Sequence, residues 1–127
     1  GTWGLDGFLK SVGVSRLERM AASRAPWPSW EFQQKGDAFT FVNHTCFGDL
    51  REEFEVGGPE YVMIDARKQR QTCRAFWEGS SLVVERCGPQ GRFREERRVD
   101  PDGSLQFVLR GLEPGKNGSW GRVFRRK

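Results

Sequence analysis

The sequence predicts an all-β fold, a closed or nearly closed antiparallel barrel, and three observations support this prediction. Turn-forming residues recur at short intervals from Trp30 onward, apolar residues alternate between the turns, and helical periodicity is confined to residues 5–24. Sequential strands joined by hairpins remove their exposed edges by closing on themselves. At 127 residues the chain has the length of one domain, with room for a core and one cavity.

A pair of short helices is predicted near the N-terminus. Apolar residues recur there at spacings of three and four, and Gly13 divides them into two runs. Ser15 and Glu18 have the spacing of a capping box at the start of the second run, and Pro26 and Pro28 end it. The apolar positions are Leu5, Phe8, Leu9, Val12, Val14, Leu17, Met20 and Ala21. Two antiparallel helices are therefore expected within about residues 5–25.

Beyond Pro28 the chain is predicted to form a meander of short strands. Successive side chains of a strand point to opposite faces, so alternating residues share a face. The turns are Lys35-Gly36-Asp37, Phe47-Gly48-Asp49, Gly57-Gly58-Pro59, Glu78-Gly79-Ser80, Gly88-Pro89-Gln90-Gly91 and Asp100-Pro101-Asp102-Gly103. The alternating sets are Phe39 and Phe41; Leu82 and Val84; Phe93, Glu95, Arg97 and Val99; Leu105, Phe107 and Leu109; and Trp120, Arg122 and Phe124.

Composition excludes several classes of function. The net charge is +4 and the isoelectric point is near 9.3, but acidic residues interrupt the basic ones, so a solvated basic face is expected rather than a nucleic-acid footprint. Transient attraction to an anionic membrane is compatible with that charge. No apolar run is long enough for a membrane span and no secretion signal is visible, so a cytoplasmic location is expected. The sequons at Asn43 and Asn117 are the observation that favours secretion instead.

The reactive side chains do not form a recognisable catalytic or metal site. Cys46, Cys73 and Cys87 are odd in number and lack metal-ligand spacing, so free thiols are expected. The single histidine, His44, has no obvious nucleophile partner, and glycine-rich phosphate loops are absent from the sequence. The sequence therefore predicts a protein that is not an enzyme and has no cofactor or metal.

Five segments carry a resemblance to a known family. They are the G-x-W opening Gly1-Thr2-Trp3, the first helix with its L-G-V-type exit at Leu5 to Val14, the second helix at Met20-Ala21 to Pro26, the segment from Cys46-Phe47 to Phe54, and Asp65-Ala66-Arg67-Lys68. With these segments, and with two short helices after the first strand followed only by strands, the chain resembles the intracellular lipid-binding proteins, the fatty-acid-binding and cellular retinoid-binding family, and the resemblance covers essentially the whole sequence. The resemblance implies a single domain over residues 1–127, a ten-stranded up-and-down barrel of the calycin type with a two-helix lid.

The chain departs from the family pattern in two places. About six residues of the family's first strand and its turn are missing between Trp3 and Leu5, so a truncated first strand is expected. Residues 112–119 lengthen the last hairpin, which predicts an additional surface loop.

The resemblance also implies a binding site for a carboxylate. Alternation places Arg122 and Phe124 on one face, and a guanidinium buried among rings is costly unless an anion meets it. The family holds the ligand carboxylate with two interior arginines, and the second is expected at Arg97, with Arg98 as the alternative if the register slips by one residue. The alternative interpretation, without a ligand, is that both arginines are surface charges paired with Glu95 or Glu96.

Ligand access is expected beneath the lid. By family correspondence Phe47 is a candidate gate, with Met20, Ala21 and Ile64 as its neighbours. The sequence thus predicts a monomeric, non-enzymatic carrier of long-chain fatty acids, with a retinoic-acid carrier as the first alternative. A secreted lipocalin-like or interaction module with a filled interior, and a nucleic-acid-binding barrel, are the alternatives from other classes.

Overall fold

The structure, a computed structural model, describes residues 2–11, 29–45, 48–65, 68–115 and 117–125. It contains ten strands and one helix in these residues. In chain order they are β1 (Thr2–Trp3), α1 (Leu5–Ser11), β2 (Ser29–Lys35), β3 (Ala38–Thr45), β4 (Gly48–Glu55), β5 (Tyr61–Ile64), β6 (Arg70–Glu78), β7 (Ser81–Gly88), β8 (Gly91–Val99), β9 (Leu105–Gly111) and β10 (Ser119–Phe124).

The strands form two antiparallel sheets. The seven-stranded sheet has the order β1-β10-β9-β8-β7-β6-β5, and the three-stranded sheet has the order β2-β3-β4. Apart from the β1–β10 pairing, hydrogen-bonded neighbours follow each other in the chain, as an up-and-down meander requires. The predicted all-β, ten-stranded antiparallel fold is confirmed.

The first strand is short, as expected. Thr2 and Trp3 pair with Arg122 and Gly121 of β10, and Gly4, with φ 69°, turns the chain directly into α1. A residue with a side chain is strained at that φ, so glycine suits the position. α1 confirms the first predicted helix, and its Phe8 packs edge-on against Phe93 of β8, with 6.1 Å between ring centroids. The second helix and most of the predicted lid fall in residues 12–28, outside the described residues.

The inner faces of the two sheets share one hydrophobic core. The three-stranded sheet contributes Phe39, Phe41 and Phe54, and the seven-stranded sheet contributes Cys73, Ala75, Leu82 and Val84. At one side of the molecule Trp30 stacks on Phe124 with 4.0 Å between ring centroids, and at the other Phe54 stacks on Tyr61 at 5.6 Å. The sheets therefore contact each other at both margins, and the space between the margins is interior.

The predicted additional loop lies between β9 and β10. The backbone N–H of Gly111 donates to Gly118 across its base, at 2.9 Å. Glu113 accepts a hydrogen bond of 3.1 Å from Arg92 of β8, which holds the loop against the sheet. No described helix has the length and apolar character needed to cross a membrane.

Candidate functional site

The register of the seven-stranded sheet aligns its inward-facing residues in rows. Opposite residues of an antiparallel pair lie on the same face of the sheet. One row consists of Leu82, Arg97, Phe107 and Arg122, from β7 to β10. The next consists of Ala75, Val84, Glu95, Leu109 and Trp120, and a third of Tyr61, Cys73, Arg86 and Phe93. Each row therefore brings at least one charged residue to the inner face.

A cavity of about 430 Å³ lies between the two sheets. Its apolar lining is mainly aromatic and comes from α1 and from both sheets: Phe8, Trp30, Phe41, Phe93, Phe107 and Trp120. This volume lies in the range of about 300–1,000 Å³ that is typical of small-molecule sites. An aromatic lining of this kind suits a hydrophobic ligand.

Four buried charged residues form a chain of ion pairs on the cavity wall. Arg86 donates hydrogen bonds of 2.8 Å to both carboxylate oxygens of Glu52, and a third, of 2.9 Å, to Glu95. Arg97 donates to the same oxygen of Glu95 at 3.3 Å. We call Glu52, Arg86, Glu95 and Arg97 the interior quartet; each exposes 9% of its surface or less. Its two positive and two negative charges compensate each other.

These contacts keep Arg86 and Glu95 ionised. Burial alone would raise the pKa of the Glu95 carboxyl, but the guanidinium groups of Arg86 and Arg97 outweigh burial and lower that pKa. Burial alone would lower the pKa of Arg86, and its two carboxylate partners instead raise it well above its usual value. A buried charge of either sign is stable here because an opposite charge lies within hydrogen-bond distance.

Three further side chains contact Glu52 and Arg86. The Tyr61 hydroxyl donates a hydrogen bond of 2.6 Å to Glu52, and Arg86 lies 3.1 Å from the sulfur atoms of both Met63 and Cys73. Burial raises the pKa of the Tyr61 hydroxyl and also that of the Cys73 thiol. Both groups are therefore protonated at neutral pH, and neither adds a charge.

On the other side of the quartet, aromatic rings surround Arg97. Its guanidinium carbon lies 5.0–5.7 Å from the ring centroids of Phe41, Phe107, Trp30 and Phe32. Ring faces attract a cation, most strongly where water is excluded. The aromatic residues thus stabilise the charge of Arg97 and form an apolar wall beside it.

Three buried polar atoms beside the cavity have no hydrogen-bond partner in the described part of the chain. They are Trp30 Nε1, Asn43 Oδ1 and Arg97 Nε, and all three residues line the cavity. Leaving a buried donor or acceptor unpaired costs about 1–3 kcal/mol. Two donors and one acceptor are therefore available to a polar head group or to ordered water.

The structure places Arg97 in the interior and Arg98 outside it. Arg97 is 6% exposed and lines the cavity. The Arg98 side chain is 56% exposed and pairs with Asp100 at 3.3 Å. Of the two alternatives that the sequence left open, the inward arginine is Arg97.

Arg122 and Phe124 lie at the margin of the cavity. Arg122 occupies the same row as Arg97, with Phe107 between them, but the described residues that line the cavity include neither Arg122 nor Phe124. The Arg122 guanidinium donates to the Thr2 hydroxyl and lies 5.5 Å from the Phe124 ring centroid. These two residues therefore close one side of the interior next to Trp30.

The predicted access residues are described only in part. Ile64 points outward and is 49% exposed, whereas Met63, one position earlier, lines the cavity. Alternation along β5 produces this difference, since adjacent residues face opposite sides. Met20, Ala21 and Phe47 lie outside the described residues, so their roles stay predictions.

Sequence reasoning did not assign Glu52, Arg86 or Glu95 to the site. Glu95 belongs to the alternating set on β8 that contains Phe93 and Arg97, yet its only assigned role is that of a surface partner in the alternative interpretation of the arginines. Arg86 continues the Leu82 and Val84 alternation by one step, and that periodicity is the signal that identifies it. The described residues contain no group of three or more His, Cys, Asp or Glu side chains able to hold a metal ion.

A ten-stranded antiparallel fold with a helix after its first strand and an interior cavity is the fold of the intracellular lipid-binding proteins, and solved structures share it. The REP1-NXSQ fatty acid transporter matches with a TM-score of 0.80 and 20% identity, covering 100% of this chain and 90% of that chain. The fatty-acid-binding protein isolated from Manduca sexta has a TM-score of 0.78 and 18% identity, covering 99% of this chain and 92% of that chain. Apo lipid binding protein 8 of Caenorhabditis elegans has a TM-score of 0.76 and 16% identity, with coverages of 99% and 89%. No protein-family model matches the sequence, and no curated protein matches it significantly.

Proposed function

We propose that the protein is a non-enzymatic carrier that binds a long-chain fatty acid in its interior cavity. The observation that carries the proposal is the cavity of about 430 Å³, which has an aromatic lining and a buried arginine with an unpartnered Nε–H. The likeness to solved structures described as a fatty acid transporter and a fatty-acid-binding protein supports it.

In this proposal the cavity wall supplies most of the affinity. Each methylene transferred from water to an apolar site contributes about 0.8 kcal/mol. The rings of Phe41, Phe107 and Trp120 offer such a surface. The hydrocarbon tail packs against these rings, and the head group determines the orientation of the ligand.

The carboxylate of the acid contacts Arg97. A guanidinium stays protonated at neutral pH and offers several N–H donors, which suits a carboxylate. Trp30 Nε1, on β2 of the three-stranded sheet, is a second donor that lines the cavity. Arg122, one position along the row beyond Phe107, adds positive charge at the cavity margin. Access beneath the lid past Phe47, Met20 and Ala21 remains part of the proposal, whereas the outward position of Ile64 removes it from the proposed site.

The proposal includes a monomeric protein that works in the cytoplasm and touches anionic membranes transiently. The net charge of +4 supports attraction to an anionic surface. A carrier rather than an enzyme is favoured because the Cys73 thiol is kept protonated by burial, and a protonated thiol is a poor nucleophile. His44 lies on the outer face of β3, away from the cavity.

The test is a calorimetric titration of delipidated protein with dodecanoic acid, a more soluble, shorter analogue of the long-chain fatty acids. We expect saturable binding with one ligand per chain, and binding about tenfold to a hundredfold weaker in Arg97→Gln, because a hydrogen bond to a charged group contributes about 1.5–3 kcal/mol. Arg98→Gln is the matched control, since that neighbouring arginine faces solvent. Absence of binding to the wild-type protein, or equal losses in the two variants, would contradict the proposal.

A further inference from the structure

The interior quartet already balances its own charges before any ligand enters. Glu52 and Glu95 each carry one negative charge, and Arg86 and Arg97 each carry one positive charge. All four are buried and three of them are linked through Glu95. A ligand carboxylate in the cavity would therefore be a third negative charge beside two positive ones.

Glu95 is the quartet residue whose protonation the negative charge of a bound ligand would affect most. It lies between the two arginines and accepts from Arg86 at 2.9 Å and from Arg97 at 3.3 Å. A carboxylate that binds Arg97 shares one guanidinium with Glu95, so the two carboxyl groups are within a few ångströms of each other. Glu52 and Glu95 are balanced by two guanidinium groups, but a bound carboxylate would make three carboxylates on two guanidinium groups. Because like charges raise the pKa of one another's carboxyl groups, we expect one of the three to take up a proton.

We propose that the cavity binds an acid ligand together with one proton from solvent, held between Glu95 and the carboxyl group of the ligand. The inference rests on the proposed function, since it concerns the same cavity and the same ligand. Outside the complex both groups are ionised: the ligand as a free carboxylate in water, and Glu95 through its two arginine partners. The proton is therefore taken up from the buffer during binding.

Among the residues that the structure describes, the other titratable groups around Glu95 do not provide a compensating positive charge inside the cavity. Tyr61 and Cys73 are neutral, and Arg122 lies at the margin, where its guanidinium donates to the exposed Thr2 hydroxyl. Besides Glu95, the described charged and titratable groups that face the interior or line the cavity are, by element, Arg51 and Glu52 on β4, Tyr61 on β5, Asp65 after β5, Cys73 on β6, Arg86 on β7, Arg97 on β8 and Arg122 on β10. Arg51 is paired with Glu53, and Asp65 adds a further negative charge.

The inference separates ligands by head group. An acid that binds with one proton loses affinity by about tenfold for each unit of pH above neutrality. An alcohol of the same chain length brings no charge, so its affinity does not change over the same range. The cavity is therefore predicted to accept neutral polar head groups as well as acids, and to prefer them as the pH rises.

The experiment is calorimetric titration of the delipidated wild-type protein with dodecanoic acid and with dodecanol. Each ligand is titrated at pH 8 in phosphate and in Tris, two buffers with different heats of ionisation, so that the difference in observed heat counts the protons taken up. We expect uptake of about one proton per acid bound and none per alcohol. The acid titration is repeated from pH 6 to pH 9 to obtain the slope of its affinity.

Glu95→Gln is the variant that removes the second carboxylate. We expect it to abolish proton uptake with dodecanoic acid and to make the affinity for the acid independent of pH. Glu96→Gln is the matched control, because Glu96 faces outward and pairs with Arg94 at 2.8 Å, and it should retain the uptake. If Glu95→Gln does not fold, the comparison of the two buffers with the wild-type protein still measures whether a proton is taken up when the acid binds.

The outcomes distinguish the inference from the function on which it rests. Binding of dodecanoic acid without proton uptake, at an affinity independent of pH, overturns the inference and leaves the carrier function standing, with the carboxylate away from Glu95. Failure of both ligands to bind overturns both. Uptake that persists in Glu95→Gln also overturns the assignment to Glu95.

Discussion

The guanidinium of Arg86 donates hydrogen bonds of 2.8 Å to both carboxylate oxygens of Glu52, which lies 34 residues earlier in the sequence. Glu52 lies on β4 of the three-stranded sheet and Arg86 on β7 of the seven-stranded sheet, so this ion pair connects the two sheets through the interior. Buried ion pairs of good geometry depend on both partners, because loss of one leaves the other charged and uncompensated. The pair therefore fixes how far apart the sheets stand beside the cavity.

Glu52→Gln tests the importance of this connection for stability. The amide keeps the size of the side chain but loses its charge, and Arg86 is left with Glu95 alone. We expect the free energy of unfolding to fall by about 3–5 kcal/mol, as measured by urea denaturation. Glu53→Gln is the adjacent control: its exposed pair with Arg51 should contribute less than about 1 kcal/mol. Similar losses in the two variants would contradict a structural role for the interior pair.

Arg122→Gln tests how much Arg122 and Arg97, the two arginines of one row, each contribute to the affinity for the ligand. Because Arg122 lies at the margin and Arg97 on the cavity wall, we expect Arg122→Gln to weaken dodecanoic acid binding by a smaller factor than Arg97→Gln. Affinities of both variants are compared by calorimetry at pH 7. A larger loss in Arg122→Gln would move the head group to the margin of the cavity.

Glu95 makes stability depend on acid pH. Its pKa is lowered in the folded protein from the ordinary value of 4.5, so its contribution is complete above that value and is lost as the pH falls through the lowered pKa. We expect the wild-type free energy of unfolding to decline below about pH 4.5 more steeply than that of Glu95→Gln. Urea denaturation at several pH values between 2 and 6 measures the two slopes, and parallel slopes would refute the assignment.

His44 makes stability depend on pH in the opposite direction. Its imidazole Nδ1–H donates a hydrogen bond of 2.9 Å to Asp49 and its Nε2 lies 3.3 Å from Glu31, and these two carboxylates raise its pKa above 6.5. The stabilisation is complete below pH 6.5 and disappears as the pH rises through the raised pKa. Because the chain has one histidine, NMR titration reports its pKa directly, and Asp49→Asn should lower that value.

Replacing Gly121 and Gly7 by alanine should have opposite effects on stability, because a methyl group has no room at the first position and open space at the second. A methyl group at Gly121 would lie 2.6 Å from the indole ring of Trp3 and 2.7 Å from the Phe107 carbonyl oxygen. We expect Gly121→Ala to destabilise the protein by about 1–3 kcal/mol through overpacking. Gly7→Ala in α1 meets open space and should instead stabilise by about 0.5–1 kcal/mol, since alanine favours a helix. Thermal unfolding of the two variants should shift in opposite directions.

The fold could be predicted from the sequence because local signals determine most of it. Gly79, with φ 60° in the turn between β6 and β7, is an example: the Glu78-Gly79-Ser80 signal marks a hairpin before any tertiary contact is known. Alternation on β8 favoured Arg97 over Arg98 as the inward arginine, and in the structure Arg97 is the buried one of the two. The shortness of the first strand followed from the missing residues between Trp3 and Leu5.

The interior quartet could not be predicted with the same ease. Glu52 and Arg86 meet only because β4 and β7 face each other across the interior, and no local pattern encodes that contact. Charged residues at inward positions also contradict the usual expectation that charges are exposed. The position of Ile64 shows the same limit, because a one-residue difference in register exchanges it with Met63.

On the side where β2 meets β10, the sheets are joined by the stacked rings of Trp30 and Phe124, while β1 extends along only Thr2–Trp3. Rings can separate and return without breaking a backbone ladder, so this margin opens at a lower free-energy cost than the paired strands of the larger sheet. Backbone amides should therefore show graded protection from deuterium, weakest along β2, which is largely exposed, and strongest along β7, whose centre is fully buried.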